Sequence, residues 1–514
     1  MRRRTPVGAD LAPITLTFLC SACIMIIEMV AGRVAARHVG NSIYNWTSII
    51  AVVLSGISIG NLMGGWCADR YYRLGHRRLT GAFLACASLF TVSILWMHAP
   101  LYDYVLRAGW SWPLTVLTGA LVTFLAPSFF LGALSPLLAS WALGQGGRSG
   151  GTLGRIYAAG ACGSIIGTLI AGFVLVPALA TSTIFGLVAL ILVVLALVVW
   201  PNVFVIATAL CVAVALLVAG LPAGITRWLD RLLPQAGLPS DAVYYRESAY
   251  QSIVVRYRDG QYILVMDDLI NGYYNAVEPS RLTYPYLRVF RDLLARRSPS
   301  DSGVTSLHIG GGAYTFPRYI AANRPNDRVS VIELDPIVTE VNVQVLRLQR
   351  PPPFEVIHMD ARQAVTELRR AGRKYDVVFL DAYQGFSTPF HLATREFYAE
   401  LFDLLAADGV VAANVIDEFE SARMLGGIYN TFSSVFPNIY VFSTDEQGPT
   451  GERETFVVVA SKLPLDASAL DASFGGEFHL LTGEELEHIK QRTRGLIFTD
   501  EYAPLETLAA RLLR

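Results

Sequence analysis

The chain has 514 residues, 53% of them hydrophobic and only 16% charged, with a mean hydropathy of +0.43. Such apolarity excludes an ordinary soluble enzyme of this length, and a formal net charge of −1 gives no electrostatic case for a nucleic-acid partner. The charge is unevenly spread: residues up to Pro222 include 12 Arg, no Lys and four acids (Asp10, Glu28, Asp69 and Asp103), whereas 29 of the 41 basic and 38 of the 42 acidic residues lie beyond it. A net positive, apolar first part is joined to a net negative second part. The division read from this is a membrane domain over 1–221, a linker over 222–242, a small β-hairpin domain over 243–275 and an α/β domain over 276–514.

Apolar runs recur at about 13–35, 44–66, 79–99, 112–143, 154–178, 181–200 and 202–221. Each approaches or exceeds the roughly 20 residues of a spanning helix, so about seven transmembrane helices are expected. The first is no cleaved signal peptide, since it continues through "CIMIIEMVAGRVAAR" without a small-residue cleavage site. All six cysteines (Cys20, Cys23, Cys67, Cys86, Cys162 and Cys211) fall in these runs, and the C-x-x-C spacing of Cys20 and Cys23 reads as packing rather than redox or metal chemistry. The arginines of "MRRR" and of "DRYYRLGHRR" (69–78) mark the cytoplasmic side. "GNLMGGWCADRYYRLGHRR" also resembles the glycine-rich, Asp-Arg loop between the second and third helices of major-facilitator transporters. The small residues of "GISIGNLMGG" and "AGACGSIIGTLIAG" allow close helix approach, for bundle packing and for transport alike. Glu28 is the one acid deep in a span, either functional or paired with Arg33 or a neighbouring helix.

The second part alternates strands and helices. "QSIVVRYRDGQYILVMDD" (251–268) is a hairpin pattern around Asp259-Gly260. Strands expected at 304–309, 329–333, 354–358 and 375–380 alternate with helices at about 283–295, 315–322, 336–348, 361–371, 394–406 and 418–436. The run "GVVAANV" and the late strands "IYVFS" and "TFVVVAS" complete the set. This alternation implies a mostly parallel sheet that binds ligands beyond the carboxyl ends of its strands.

The informative residues fall at those ends. Gly310, Gly311 and Gly312 close the first core strand, where a backbone without Cβ atoms can turn sharply and approach a ligand, with a helix amino terminus following. Glu333 ends the second strand in "VSVIELDP", about 20 residues after the turn, placed to accept both hydroxyls of a ribose. Asp360 follows the third strand in "VIHMDAR", placed to accept from an adenine amino group, and Asp381 ends the fourth in "YDVVFLDAY". Each acid alone reads equally as a cap or turn residue. Acids at three successive strand ends point to a nucleoside site.

From about Tyr245 to Val441 the chain resembles the spermidine synthase family, the polyamine aminopropyltransferases, in the branch that carries an amino-terminal membrane domain. The matching pieces are "SAYQSIVV", "YILVMDDLINGYY", "LHIGGG", "VIELD", "MDAR", "YDVVFLDAY" and "LATREFY", in family order. The resemblance implies a multi-pass α-helical membrane domain followed by an α/β, Rossmann-like nucleoside-binding domain of the S-adenosylmethionine type, with a small β-domain before it. It implies transfer of aminopropyl from decarboxylated S-adenosylmethionine, a co-substrate, to a small-molecule amine, without a prosthetic group or metal, by a chain that pairs into a homodimer. By the same resemblance Gln251 and Glu333 hold the ribose beside the glycine turn, Asp360 and Ala361 border the adenine, Tyr284 and Gln384 lie at the acceptor, and Asp381 is the proton acceptor. An alkylammonium of pKa near 10 is no nucleophile at neutral pH, so a carboxylate that orients it and takes its proton fits the chemistry.

The chain also departs from the family. Ala313 stands where the turn continues with an Asp that binds the donor's amine, Pro285 and Tyr286 replace the last two residues of a Tyr-His-Glu, and Gln384 replaces the second Asp of an Asp-x-x-Asp-Pro loop. Nucleoside contacts are kept while contacts to ammonium groups are mostly lost. Two classes of function follow: an enzyme, either an aminopropyltransferase with an unusual acceptor or an S-adenosylmethionine-dependent methyltransferase, and a membrane transporter or sensor with a non-catalytic nucleoside-binding domain. The aminopropyltransferase is the reading adopted, with Tyr286 and Tyr314 facing the acceptor or filling the core. The expected location is the cell membrane. Seven crossings from a cytoplasmic amino terminus would place the second part outside, whereas S-adenosyl nucleosides are supplied inside. A cytoplasmic second part is expected, which requires a segment such as 202–221 not to cross.

Overall fold

The computed structural model describes residues 11–39, 43–108, 110–145, 149–220, 241–267, 269–297, 303–383, 387–451, 453–466 and 478–509. The linker expected over 222–242 lies, through residue 240, outside the described residues, as does the arginine run at 2–4. The chain divides into two compact units, one of residues 1–240 with 247–251 and one of 241–246 with 252–514.

The first unit is helical: α1 Leu11–Val39, α2 Ile43–Arg70, α3 His76–Arg107, α4 Trp112–Leu143, α5 Ser149–Ile170, α6 Thr181–Val199 and α7 Val203–Gly220. Beyond its own end, α5 continues through a π-helical turn, Ala171–Leu175, to Ala178. Six of these helices, α1 to α6, are long and apolar enough to cross a membrane. These six are counted among the described residues; the seventh expected span is α7, an apolar helix of 18 described residues that runs to the edge of the described chain at Gly220. Close helix approach explains the small-residue runs. A Cβ at Gly60 or Gly64 of α2 would fall 2.2 Å from the Phe129 carbonyl oxygen or 2.1 Å from that of Ala133, both on α4. Gly163 and Gly167 of α5 meet Phe18 and Ala22 of α1 in the same way. Bundle packing accounts for these residues. Cys20 and Cys23 are buried, unlinked residues of α1, and Arg33 donates to the Val176 carbonyl at 3.2 Å.

The second unit opens with a sheet of four strands in the order β1 Ala242–Glu247, β2 Ser252–Arg258, β3 Gln261–Met266 and β4 Leu269–Asn275. The expected hairpin is β2–β3, antiparallel, with Arg258 opposite Gln261 and positive φ at both Asp259 and Gly260, the geometry of a two-residue turn. The sheet is wider than that hairpin because β1 and β4 extend it on either side.

An eight-stranded sheet follows, built from β5 Thr305–Ile309, β6 Arg328–Glu333, β7 Glu355–His358, β8 Tyr375–Leu380, β9 Leu405–Glu418, β10 Asn438–Ser443, β11 Arg453–Ser461 and β12 His479–Leu480. Its order is β12-β10-β11-β9-β8-β5-β6-β7. The five strands from β9 to β7 are parallel, while β10, β11 and β12 join antiparallel. The helices between the strands are α8 Pro285–Arg297, α9 Thr315–Asn323, α10 Pro336–Gln344, α11 Ala361–Arg370, α12 Arg395–Leu404 and α13 Arg423–Ser433, with α14 Gly483–Arg492 and α15 Leu505–Ala509 at the end. Alternate strand residues face opposite layers, as a parallel sheet covered on both sides requires. Leu307, Ile309, Val378 and Leu380 pack with α11, α12 and α13, whereas Val331, Val377 and Phe379 pack with α8, α9 and the small sheet. The helix expected over 418–436 begins only at Arg423 because β9 runs on to Glu418. There the Asp417 carboxylate accepts from the Met424 and Leu425 amides, at 2.9 and 2.8 Å, and starts α13 instead.

Strand order reverses between β5 and β8, the switch point at which such sheets bind ligands. Register does the rest. Ile309 lies opposite both Leu380 and Ile332, so Gly310, Asp381 and Glu333 emerge side by side at one level. Gly310 has φ +105°, and a Cβ there would lie 2.2 Å from the Asp381 carbonyl oxygen. Gly310→Ala combines a forbidden backbone with a clash and should destabilise the second unit by about 3 kcal/mol. Pulse proteolysis of the detergent-solubilised chain checks this.

Candidate active site

The turn that follows β5 is tied to its neighbours through the backbone. The Gly310 amide donates to the Ile332 carbonyl and the Asp381 amide to the Ile309 carbonyl, each at 2.9 Å. The Gly311 amide donates to Glu333 Oε2 at 3.0 Å, and the Asp335 amide to Oε1 at 2.9 Å. Gly312, with φ +50°, presents its carbonyl to Asn342 Nδ2 at 2.9 Å. Glu333 is only 8% exposed. Burial disfavours its charge and raises its pKa to about 7, although backbone amides of Asp335, Gly311 and Gly312 oppose the shift. A carboxylate oriented by two amides beside a bare glycine backbone is suited to accept hydroxyl donors.

Asp381 is held differently. Its Oδ2 accepts from the Tyr286 hydroxyl at 2.7 Å and its Oδ1 from Asn414 Nδ2 at 2.9 Å. Withdrawal from bulk water raises its pKa, and these two neutral donors only partly offset that. The result is a carboxyl that is a stronger proton acceptor than a solvated one. Asn414 lies on β9, and its Oδ1 is buried with no hydrogen-bond partner among the described residues. Tyr383 donates to the Asn414 carbonyl at 2.9 Å, and Tyr284 donates to the Ile270 carbonyl at the same distance. The Tyr284 ring also lies edge-on to Tyr273 and tilted against Tyr286, with ring centres 4.9 and 5.5 Å away.

The structure therefore brings together Gly310, Gly311, Gly312, Glu333, Asp381 and Tyr284 from the expected set. Asp360 is engaged within the protein: its Oδ1 caps α11 by accepting from the Arg362 and Gln363 amides, at 3.0 and 3.2 Å, while Oδ2 meets His391 Nε2 at 3.1 Å. Ala361 is the first residue of α11 and is buried in the core layer. Gln251 lies in the turn before β2, where the Ser248 hydroxyl accepts from its amide and donates to its carbonyl, both at 3.1 Å. Gln384 lies outside the described residues. Ala313 is buried, and a Cβ at Gly272 would fall 2.6 Å from its side chain.

Of the two tyrosines read as facing an acceptor or filling the core, Tyr286 bonds Asp381 while Tyr314 does not reach it. Tyr314 is fully buried, stacked on Phe354 at 5.5 Å and bonded to Thr339 Oγ1 at 2.6 Å. It fills the core beside the turn. Asn414, Tyr383, Tyr273 and His391 escaped the sequence reading. Only Asn414 left a signal, as the one amide in an otherwise apolar strand, "GVVAANV".

No family model matches the chain. Over 214 residues it is 27% identical to the polyamine aminopropyltransferase of Vibrio vulnificus, covering 41% of this chain and 67% of that one. Over 287 residues it is 24% identical to a probable polyamine aminopropyl transferase of Bifidobacterium longum, covering 52% and 62%. The chain is thus similar in sequence to polyamine aminopropyltransferases. It spans 67% and 62% of the lengths of these two curated relatives. The crystal structure of a probable spermidine synthase from Corynebacterium glutamicum is similar with a TM-score of 0.43 at 20% identity, covering 52% of this chain and 99% of that one.

The pKa of Glu333 gives a pH dependence. An acid whose folded pKa is raised from 4.5 to about 7 binds more protons folded than unfolded between those values, so its contribution to stability falls as pH rises through that window. Its capacity to accept hydroxyl donors rises over the upper part of the same window. Affinity for methylthioadenosine should therefore increase from pH 6 to pH 8, and Glu333→Gln should bind weakly without that slope; calorimetry across the range measures both.

Proposed function

We propose that the chain is a membrane-integrated polyamine aminopropyltransferase that moves an aminopropyl group from decarboxylated S-adenosylmethionine to an amine acceptor. One observation carries this reading: a buried carboxylate, Asp381, stands in register with Glu333 and the glycine turn at the switch point of the sheet. The relatives' names support the same reading. Glu333 accepts the ribose hydroxyls, with Gln251 as a second ribose contact, and Asp360 with Ala361 borders the adenine. The glycine turn lets the nucleoside lie against the backbone.

The chemistry asks little beyond orientation and a proton acceptor. As the acceptor nitrogen forms its bond to the carbon beside the sulfonium, the carbon–sulfur bond breaks and its electron pair returns to sulfur. A neutral thioether nucleoside leaves, and Asp381 takes the proton lost from nitrogen. Asp381→Asn keeps the shape of the site and removes the base, so kcat should fall by about a hundredfold or more while methylthioadenosine binding persists. Product analysis with decarboxylated and intact S-adenosylmethionine tests the reaction class. Methylated product from the intact donor, or binding without any product, would replace this reading.

The second unit faces the cytoplasm in this proposal, and the bilayer is the partner of the first. Six crossings from a cytoplasmic amino terminus return the chain to the side where S-adenosyl nucleosides are made. Reporter fusions after residue 201 and after residue 245 should both read cytoplasmic. An external signal at the second would show that α7 crosses.

A further inference from the structure

Four tyrosines gather at Asp381. Tyr286 donates to it directly, Tyr284 lies against Tyr286, Tyr273 lies against Tyr284, and Tyr383 is anchored on Asn414, which itself donates to Asp381. Three of the hydroxyls are already committed: Tyr286 to the carboxylate, Tyr284 to the Ile270 carbonyl and Tyr383 to the Asn414 carbonyl. What the cluster adds is ring surface and neutral polarity. The acid that acts on Tyr284, Tyr286 and Tyr383 alike is Asp381, and the cation that acts on Tyr284 and Tyr383 is Arg453. Among the described residues, one carboxylate serves this wall.

We infer that the acceptor is an amine with a single positive charge and an uncharged aliphatic or aromatic remainder. Asp381 neutralises one ammonium and orients it. The buried Oδ1 of Asn414, without a partner among the described residues, is a second place for an N–H of that same nitrogen. Phenol faces suit a methylene chain or ring behind the reacting nitrogen. A second ammonium further along the chain would be taken from water into the tyrosines with, among the described residues, no second carboxylate bonded to them, and an uncompensated buried charge is strongly unfavourable.

This inference rests on the aminopropyl-transfer reading, and the test separates the two. n-Butylamine and putrescine share a four-carbon chain and differ at the far end, so the ratio of their kcat/KM values in the full-length, detergent-solubilised protein with decarboxylated S-adenosylmethionine isolates the second charge. n-Butylamine should be preferred by about tenfold or more. Tyr286→Glu, which puts a second carboxylate into the wall, should move the ratio toward putrescine by about tenfold, and Tyr286→Phe should keep the parental preference. Methylthioadenosine binding identifies the folded variants. Equal use of the two amines, a preference for putrescine, or an unmoved ratio in a folded Tyr286→Glu would overturn the inference. Should neither amine be a substrate, the transfer reading fails by itself, and calorimetry on the methylthioadenosine-loaded protein still decides the site's preference: tighter n-butylamine binding upholds the single-charge site, tighter putrescine binding overturns it.

Discussion

At the end of β5 the chain passes the Asp381 carbonyl so closely that a side chain has no room. That contact fixes the geometry of everything near it. It continues the ladder between β5 and β8 by one more bond, from the Asp381 amide to Ile309, and forces the next residues into a turn with positive φ at Gly310, Gly312 and Tyr314. The turn brings the Gly311 amide onto Glu333 and leads into α9, whose Phe316 and Ile320 pack back on the sheet. Two carboxylates from different strands are thereby held in register by backbone atoms alone.

Burial raises the pKa of both carboxylates, yet the protein treats them in opposite ways. Glu333 is gripped by main-chain amides, which hold it in place and favour its charged form. Asp381 is gripped by a phenol and a side-chain amide, neutral groups that can shift as a proton arrives. The first arrangement suits a residue that only binds. The second suits one whose protonation changes during turnover.

Much of this was legible in the sequence, because strand ends are marked by short-range signals: an apolar run, then glycines or an acid. Gly310, Glu333 and Asp381 were each readable from their own strands. Partnerships made across the sheet were not. Asn414 reaches Asp381 from 33 positions away and His391 reaches Asp360 from 31, and no local pattern records either distance. Tyr314 stayed open in the sequence because a tyrosine after a glycine turn reads alike whether it faces a ligand or the core; its burial against Phe354 and Thr339 decides for the core. The late start of α13 had a similar origin, since Asp417 takes the Met424 and Leu425 amides from seven and eight positions away, a reach no local pattern records. The seventh apolar run was legible as a helix from its composition, as the other six were.

The cap on α11 has a consequence for how such a chain diverges. Asp360 holds two amides of that helix with one oxygen, so its replacement costs fold stability whatever ligand is present. Glu333, tied to two amides of its own, is constrained likewise. The side chains of Tyr286 and Tyr284 make no such bond to a helix end among the described residues and are held by ring contacts and single hydroxyls. Drift under selection for stability alone would erode the second pair long before the first. Descendants of one ancestor could then change the molecule they modify while still drawing on the same activated nucleoside.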